Sequence, residues 1–137
     1  MFLKKTLPAL LASVFSFLLS CGAATVFRAC ARKEDGTWMH CHDVQIAVTL
    51  CAAGLCLLFL FCARMKAPAG RAALCGVGIA GSIVTLLLPG TVMPMCMMKT
   101  MRCYALMQPF VRLMCVLIAV CGVIALLQAL KTCRASN

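Results

Sequence analysis

Two short stretches concentrate the reactive side chains of this 137-residue chain. The first runs Thr25-Val26-Phe27-Arg28-Ala29-Cys30 and, eight residues later, Met39-His40-Cys41-His42. The second runs Thr91-Val92-Met93-Pro94-Met95-Cys96 and, four residues later, Met101-Arg102-Cys103-Tyr104. Both read T-V-x-x-x-C, a spacer, then M-x-C. Three chemistries are open to such residues. Thiols on an oxidising side form disulfides, either Cys30 with Cys41 and Cys96 with Cys103, or in pairs that staple the two stretches together. Closing a loop of about ten residues contributes about 3 kcal/mol in the chain-entropy picture. Thioether and thiolate groups also select soft ions such as Cu(I). Met39, Cys41 and His42 would supply one half-site, and Cys96, Met101 and Cys103 the other. Seven of the ten methionines fall between Met93 and Met114, although methionine also fills gaps between helices. The third chemistry is thiol–disulfide exchange, which favours a C-x-x-C pair; no cysteine gap here has that spacing.

The elements that position these stretches are apolar. Hydrophobic residues make up 64% of the chain and charged residues 12%, against about half and about a quarter in soluble domains. A chain this short cannot hide so much apolar surface inside a globule, so the bilayer is the expected solvent. Four runs are long enough to cross it, with about 20 helical residues per span: Leu7 to Phe27, Val44 to Ala63, Ala72 to Leu88, and about Ala105 to Leu130. They must be helical, because lipid offers backbone groups no partners. Six cysteines inside the runs, Cys51, Cys56, Cys62, Cys75, Cys115 and Cys121, are expected to pack as small hydrophobes. Leu18-Leu19-Ser20-Cys21 loosely resembles a lipoprotein cleavage box, but the apolar run continues past Cys21, so the segment is read as a retained span.

Within the third run, Gly76-Val77-Gly78-Ile79-Ala80-Gly81 spells a dinucleotide fingerprint. That motif requires a strand before it; inside an apolar helix its glycines instead offer a smooth face to another helix. With the small residues Ala52, Ala53 and Gly54, they also make a homo-oligomer plausible. Pro89-Gly90 marks the end of the third run, and Arg64 to Arg71, with Pro68 and Gly70 as breakers, reads as a basic turn.

The formal charge is +10, with Glu34, Asp35 and Asp43 as the acids. The basic residues sit in clusters beside the runs, which suits topology signals and anionic lipid rather than nucleic acid. Four spans put both termini on one side with Lys4, Lys5, Arg64, Lys66, Arg71, Lys131 and Arg134; the other side holds Arg28, Arg32, Lys33, Lys99, Arg102 and all three acids. The positive-inside rule then places both termini in the cytoplasm and both sulfur-rich loops outside. Arg112 lies within the fourth run. A mid-membrane charge costs about 3 kcal/mol on insertion scales and usually snorkels or faces a bundle interior. Snorkelling is the default here; an inward Arg112 beside Gln108, four residues earlier, would be a functional intramembrane charge. Three carboxylates, two of them adjacent in a turn, leave little scope for paired acid–base catalysis. His40 and His42, two apart on an extended loop, would point the same way.

F-R-A-C-(x)8-M-H-C-H, followed by T-V-x-x-x-C-(x)4-M-R-C-Y and Pro109, resembles an uncharacterised family of small bacterial four-span membrane proteins known as a domain of unknown function. The resemblance covers nearly the whole chain and falls on Cys30, Met39, Cys41, His42, Cys96, Met101 and Cys103. Asp43 and Val44 stand where the family tends to carry an aromatic and a threonine, and Ala47 or a neighbour where an acid is expected. The resemblance implies a small partner of ABC-type exporters. The expectation is therefore an all-α, polytopic membrane four-helix bundle of two tandem helix-loop-helix repeats (about 7–63 and 72–130) in one integral-membrane domain spanning 1–137. It is multi-pass in the cell membrane, with the lipid bilayer as its surroundings. Its expected role is a non-enzymatic accessory or scaffold subunit with disulfide-stiffened outer loops. A Cu(I)-type binder and a membrane thiol–disulfide oxidoreductase are the alternatives.

Overall fold

The computed structural model describes residues 2–26, 34–38, 40–94, 100 and 103–135, with side chains described from residue 6 onward and Cys103 by its backbone alone. The described residues form four α-helices: α1 (Phe2–Thr25), α2 (His40–Arg64), α3 (Pro68–Leu87) and α4 (Gln108–Ala135), the last preceded by a π-helical turn, Cys103–Met107. At about 1.5 Å per residue even α3, with 20 residues, reaches the ~30 Å of a hydrocarbon core. All four are long and apolar enough to cross a membrane.

Each helix lies against the next in sequence, and α4 closes the ring against α1. Contacts fall in reverse order along every consecutive pair, so neighbours are antiparallel. Between α1 and α2, the Ser13 hydroxyl donates to the Cys56 carbonyl (3.2 Å), the Ser20 hydroxyl to the Thr49 carbonyl (3.3 Å), and the Gln45 amide to the Ala23 carbonyl (2.9 Å). Between α2 and α3, Phe59 meets Gly78 and Leu55 meets Gly81; between α3 and α4, Ile79 meets Gly122. Leu19, Val48, Phe59, Val111 and Ile118 fill the centre, and a smaller cluster of Ala9, Cys62, Cys75 and Ala125 lies toward the α2–α3 turn. Large apolar side chains also cover the outside, with Leu57, Phe61, Val77, Leu113 and Leu127 all exposed. Apolar surface on both sides of the helices is the signature of a bundle dissolved in lipid.

Helices α1 and α4 extend beyond the apolar runs at the chain ends, and three further differences from expectation have a local reason. The α2–α3 link is three residues, Met65 to Ala67, because Pro68 opens α3 instead of breaking it; proline's missing N–H is harmless in a first turn, and Ala67 before it is extended, as a residue preceding proline prefers. Gly70 and Arg71, expected in a turn, therefore lie in α3. Helix α2 starts four residues before the apolar run. Asp43 in its first turn complements the positive end of the helix dipole. His40 and His42 are thus helical rather than extended, and at 100° per residue they diverge instead of pointing the same way. Finally, Pro109 is the second residue of α4. Its ring would collide with the carbonyl four residues earlier in an α-helix, and the π-turn immediately before it widens the backbone there.

The G-x-G-x-x-G glycines sit wholly inside α3, with no strand before them. Gly78 and Gly81 receive Phe59 and Leu55, whereas Gly76 and Gly54 face open space. The glycine face is used chiefly within the chain. Ala52 is likewise buried in the centre.

Candidate functional site

The antiparallel ring brings the end of α1, the start of α2, the end of α3 and the π-turn before α4 to one end of the bundle. The described parts of the two sulfur-rich stretches, Thr25 and Val26, His40 to His42, Thr91 to Pro94 and Tyr104, lie at that end. Cys30, Met39, Cys96 and Met101 lie outside the described residues, and Cys103 is placed by backbone only, as the first residue of the π-turn. Two of the nominated side chains are fully described, Cys41 and His42. Cys41 is completely buried in the first turn of α2. It is disulfide-bonded, and its partner lies outside the described side chains. His42, one residue on, is half-buried, and its ring stacks on Trp38 with centroids 4.0 Å apart and planes 15° apart. Trp38 escaped the sequence reading. The signal was the aromatic four residues before His42, one helical turn away, but Trp38 lies just ahead of the helix and its pairing depends on how the chain enters it.

The opposite corner of this end is tightly built. Helix α3 ends with the Leu88 amide donating to the Val84 carbonyl (3.0 Å), after which the Val92 and Met93 amides return to the Leu87 and Leu88 carbonyls (3.3 and 3.2 Å). Gly90 takes φ +86°, and a β-carbon there would stand 3.2 Å from the Gln108 amide nitrogen. A left-handed conformation costs a residue with a β-carbon about 1–2 kcal/mol. Gly90→Ala is therefore expected to lower bundle stability by about that amount, read as a fall in the unfolding midpoint in mixed micelles; an unchanged midpoint would show that this loop is not held as described.

Arg112 is exposed on the outer surface of α4, while Gln108, one turn earlier, is buried. About 40° of helical rotation separates the two, and Gln108 is covered while Arg112 is left exposed. The apolar segment containing Arg112 runs Tyr104–Ala135, 32 residues or about 48 Å at helical rise. That leaves ample length to cross the hydrocarbon beyond Arg112.

Eight further cysteines, Cys21, Cys51, Cys56, Cys62, Cys75, Cys115, Cys121 and Cys133, are free thiols. All eight lie on the helices, and Cys62, Cys75 and Cys115 are buried. Among the described cysteines, the bonded Cys41 is in the first turn of α2 at the loop end, and the free ones lie further along the helices. Among the described residues no three His, Cys, Asp or Glu side chains gather as a metal site would require.

Four apolar, membrane-length helices in one antiparallel ring define a small multi-pass membrane protein. Residues 12–128 match the family described as Domain of unknown function (DUF4418), and the chain belongs to that family. No curated protein and no solved structure matches it.

Proposed function

We propose that the chain is a non-enzymatic accessory or scaffold subunit of a larger membrane assembly. The kind of partner implied by its family resemblance is an ABC-type exporter subunit. In this reading both termini are cytoplasmic, and the sulfur-rich loops form a stiff outer cap that packs against the partner. One observation carries it: Cys41, at the loop end, is disulfide-bonded, while the eight described cysteines along the helices are free. Disulfides persist on an oxidising side. A sulfur held in a disulfide also has no thiolate to offer a soft metal, which argues against Cys41 as a Cu(I) ligand. The remaining sulfur for the cap comes from Cys30, Cys96 and Cys103.

Two further features support the reading. The centre of the bundle is closed by Phe59, Ile118 and other large apolar groups, an arrangement suited to a support. The α2–α3 turn and the two chain termini, which share the other end, carry Lys4, Lys5, Arg64, Lys66, Arg71, Lys131 and Arg134 and none of the acids. Such a cationic end belongs on the cytoplasmic side.

The test is native extraction in a mild detergent with a tag at the C-terminus, followed by chemical cross-linking. The expected result is stoichiometric recovery of an ABC-type exporter subunit with cross-links to the loop end. Recovery of the chain alone, at the mass of one or two copies, would overturn the reading. A C-terminal fluorescent reporter that matures only in the cytoplasm is expected to be bright.

A further inference from the structure

Two of the free thiols are in contact. Cys62, near the end of α2, and Cys75, near the start of α3, are both buried, and their sulfurs stand 3.1 Å apart. The Cys62 thiol also points at the backbone carbonyl of Arg71, 3.6 Å away and one turn before Cys75 on α3. The three-residue turn from Met65 to Ala67 fixes this meeting. Cys62 lies two residues before Arg64, so the pair sits just under the cationic end of the bundle and not in its centre.

The spacing selects one chemistry over another. An ion with metal–sulfur distances near 2.3 Å holds two thiolates about 4.6 Å apart in a linear site and about 3.8 Å apart in a tetrahedral one. The observed 3.1 Å is too short for either. It lies about 1 Å from the ~2.05 Å of a covalent disulfide. We propose that Cys62 and Cys75 are a redox-active dithiol, closed to an α2–α3 disulfide by hydrogen peroxide or a comparably small hydroperoxide.

In the first step the Cys62 sulfur attacks the peroxide. An S–O bond forms and the O–O bond breaks, giving a sulfenic acid at Cys62 and hydroxide, which takes the Cys62 thiol proton and becomes water. The Cys75 sulfur then attacks the sulfenic sulfur. The S–S bond forms, the S–O bond breaks, and the departing hydroxide takes the Cys75 proton as a second water. Two thiols are oxidised to one disulfide and one peroxide is reduced to two waters. The partner thiol is already in contact, so the sulfenic acid is captured before further oxidation. A small uncharged oxidant suits a pair whose sulfurs are buried. Closing the bond ties α2 to α3 next to the seam where Phe59 and Leu55 meet Gly78 and Gly81. The inference stands on the contact alone and does not depend on the orientation or partner proposed above.

The test treats the purified full chain in lipid nanodiscs with hydrogen peroxide, quenches with an alkylating agent, and maps the products by peptide mass. The expected product is a cross-linked peptide pair joining Cys62 and Cys75, lighter by two hydrogens and restored by dithiothreitol. It should form at least tenfold faster than the loss of Cys51, Cys56, Cys115 or Cys121. In Cys62→Ser the cross-link must vanish, and in Cys75→Ser Cys62 should yield a dimedone adduct, the trace of a sulfenic acid left without its partner. Separate sulfinic acids at Cys62 and Cys75 in the wild-type chain, or loss of these thiols no faster than that of Cys115, would overturn the proposal, as would two thiols that remain reduced throughout.

Discussion

Phe59→Ala is expected to lower bundle stability by about 3–5 kcal/mol, the range for removing a buried aromatic ring. The upper half applies here because of what the ring touches. Phe59 is fully buried, and a β-carbon placed on Gly78 would stand 2.6 Å from its Cζ; one on Gly122 would stand 3.4 Å away. Neither neighbour has a side chain that can relax into the space the ring leaves. Lipid provides no hydrophobic drive to close the gap, because helices in a bilayer associate through close contact and hydrogen bonds. The same geometry makes Gly78→Ala costly with Phe59 present and milder once the ring is trimmed. Phe59→Leu and Gly78→Ala should therefore couple favourably, with a double-mutant term of about 1 kcal/mol or more. Unfolding in mixed micelles reads all of these. A loss below about 1 kcal/mol for Phe59→Ala would show that the ring does not anchor α2 to α3 and α4.

The second large effect is expected at Cys41. Cys41→Ala removes a disulfide, and losing a native disulfide typically costs about 2–5 kcal/mol. The disulfide leaves a chemical trace as well. In the wild-type chain under non-reducing conditions Cys41 and its partner resist alkylation; in Cys41→Ala the partner becomes free, so one additional thiol is labelled. Peptide mapping should place that label on Cys30, Cys96 or Cys103. A label on Cys30 means that the cap is closed within the first loop. A label on Cys96 or Cys103 means that it staples the two loops. Full alkylation of Cys41 in the untreated wild-type chain would refute the bond, and with it the stiff cap. By contrast Cys115→Ala, at a buried free thiol, should alter the alkylation pattern only by its own absence.

Much of this architecture could be read from the chain, because lipid imposes strict rules on it. Four apolar runs separated by basic or sulfur-rich stretches permit little other than four helices, and Pro89-Gly90 marked the end of α3 within two residues. The finer boundaries followed hydrogen bonding rather than hydropathy. His40, Cys41 and Asp43 are polar enough to suggest loop, yet an acid in a first turn favours helix, and the helix runs on past the apolar stretch. Pro68 looked like a breaker because proline breaks helices everywhere except at their start. The contact of Cys62 with Cys75, the seat of Phe59 on Gly78, and the stacking of Trp38 on His42 were hidden for a different reason. Each depends on rotation about a helix axis or on the path of a short turn, and residue spacing encodes neither. Arg112 illustrates the point: spacing left it either snorkelling outward or facing inward beside Gln108, and it is exposed while Gln108, about 40° away around the helix, is buried.

The three bonds that cross from α1 to α2 and back have donors on side chains and acceptors on backbone carbonyls. Every amino acid has such a carbonyl, so Ala23 and Thr49 receive these bonds whatever their side chains, while at Cys56 the sulfur also stands 3.5 Å from the Ser13 hydroxyl. The specificity of the pairing therefore resides in Ser13, Ser20 and Gln45. A drifting lineage could rewrite Thr49 and keep the hairpin in register, provided that those three givers endure, whereas Ala23 is fully buried and has no room to grow.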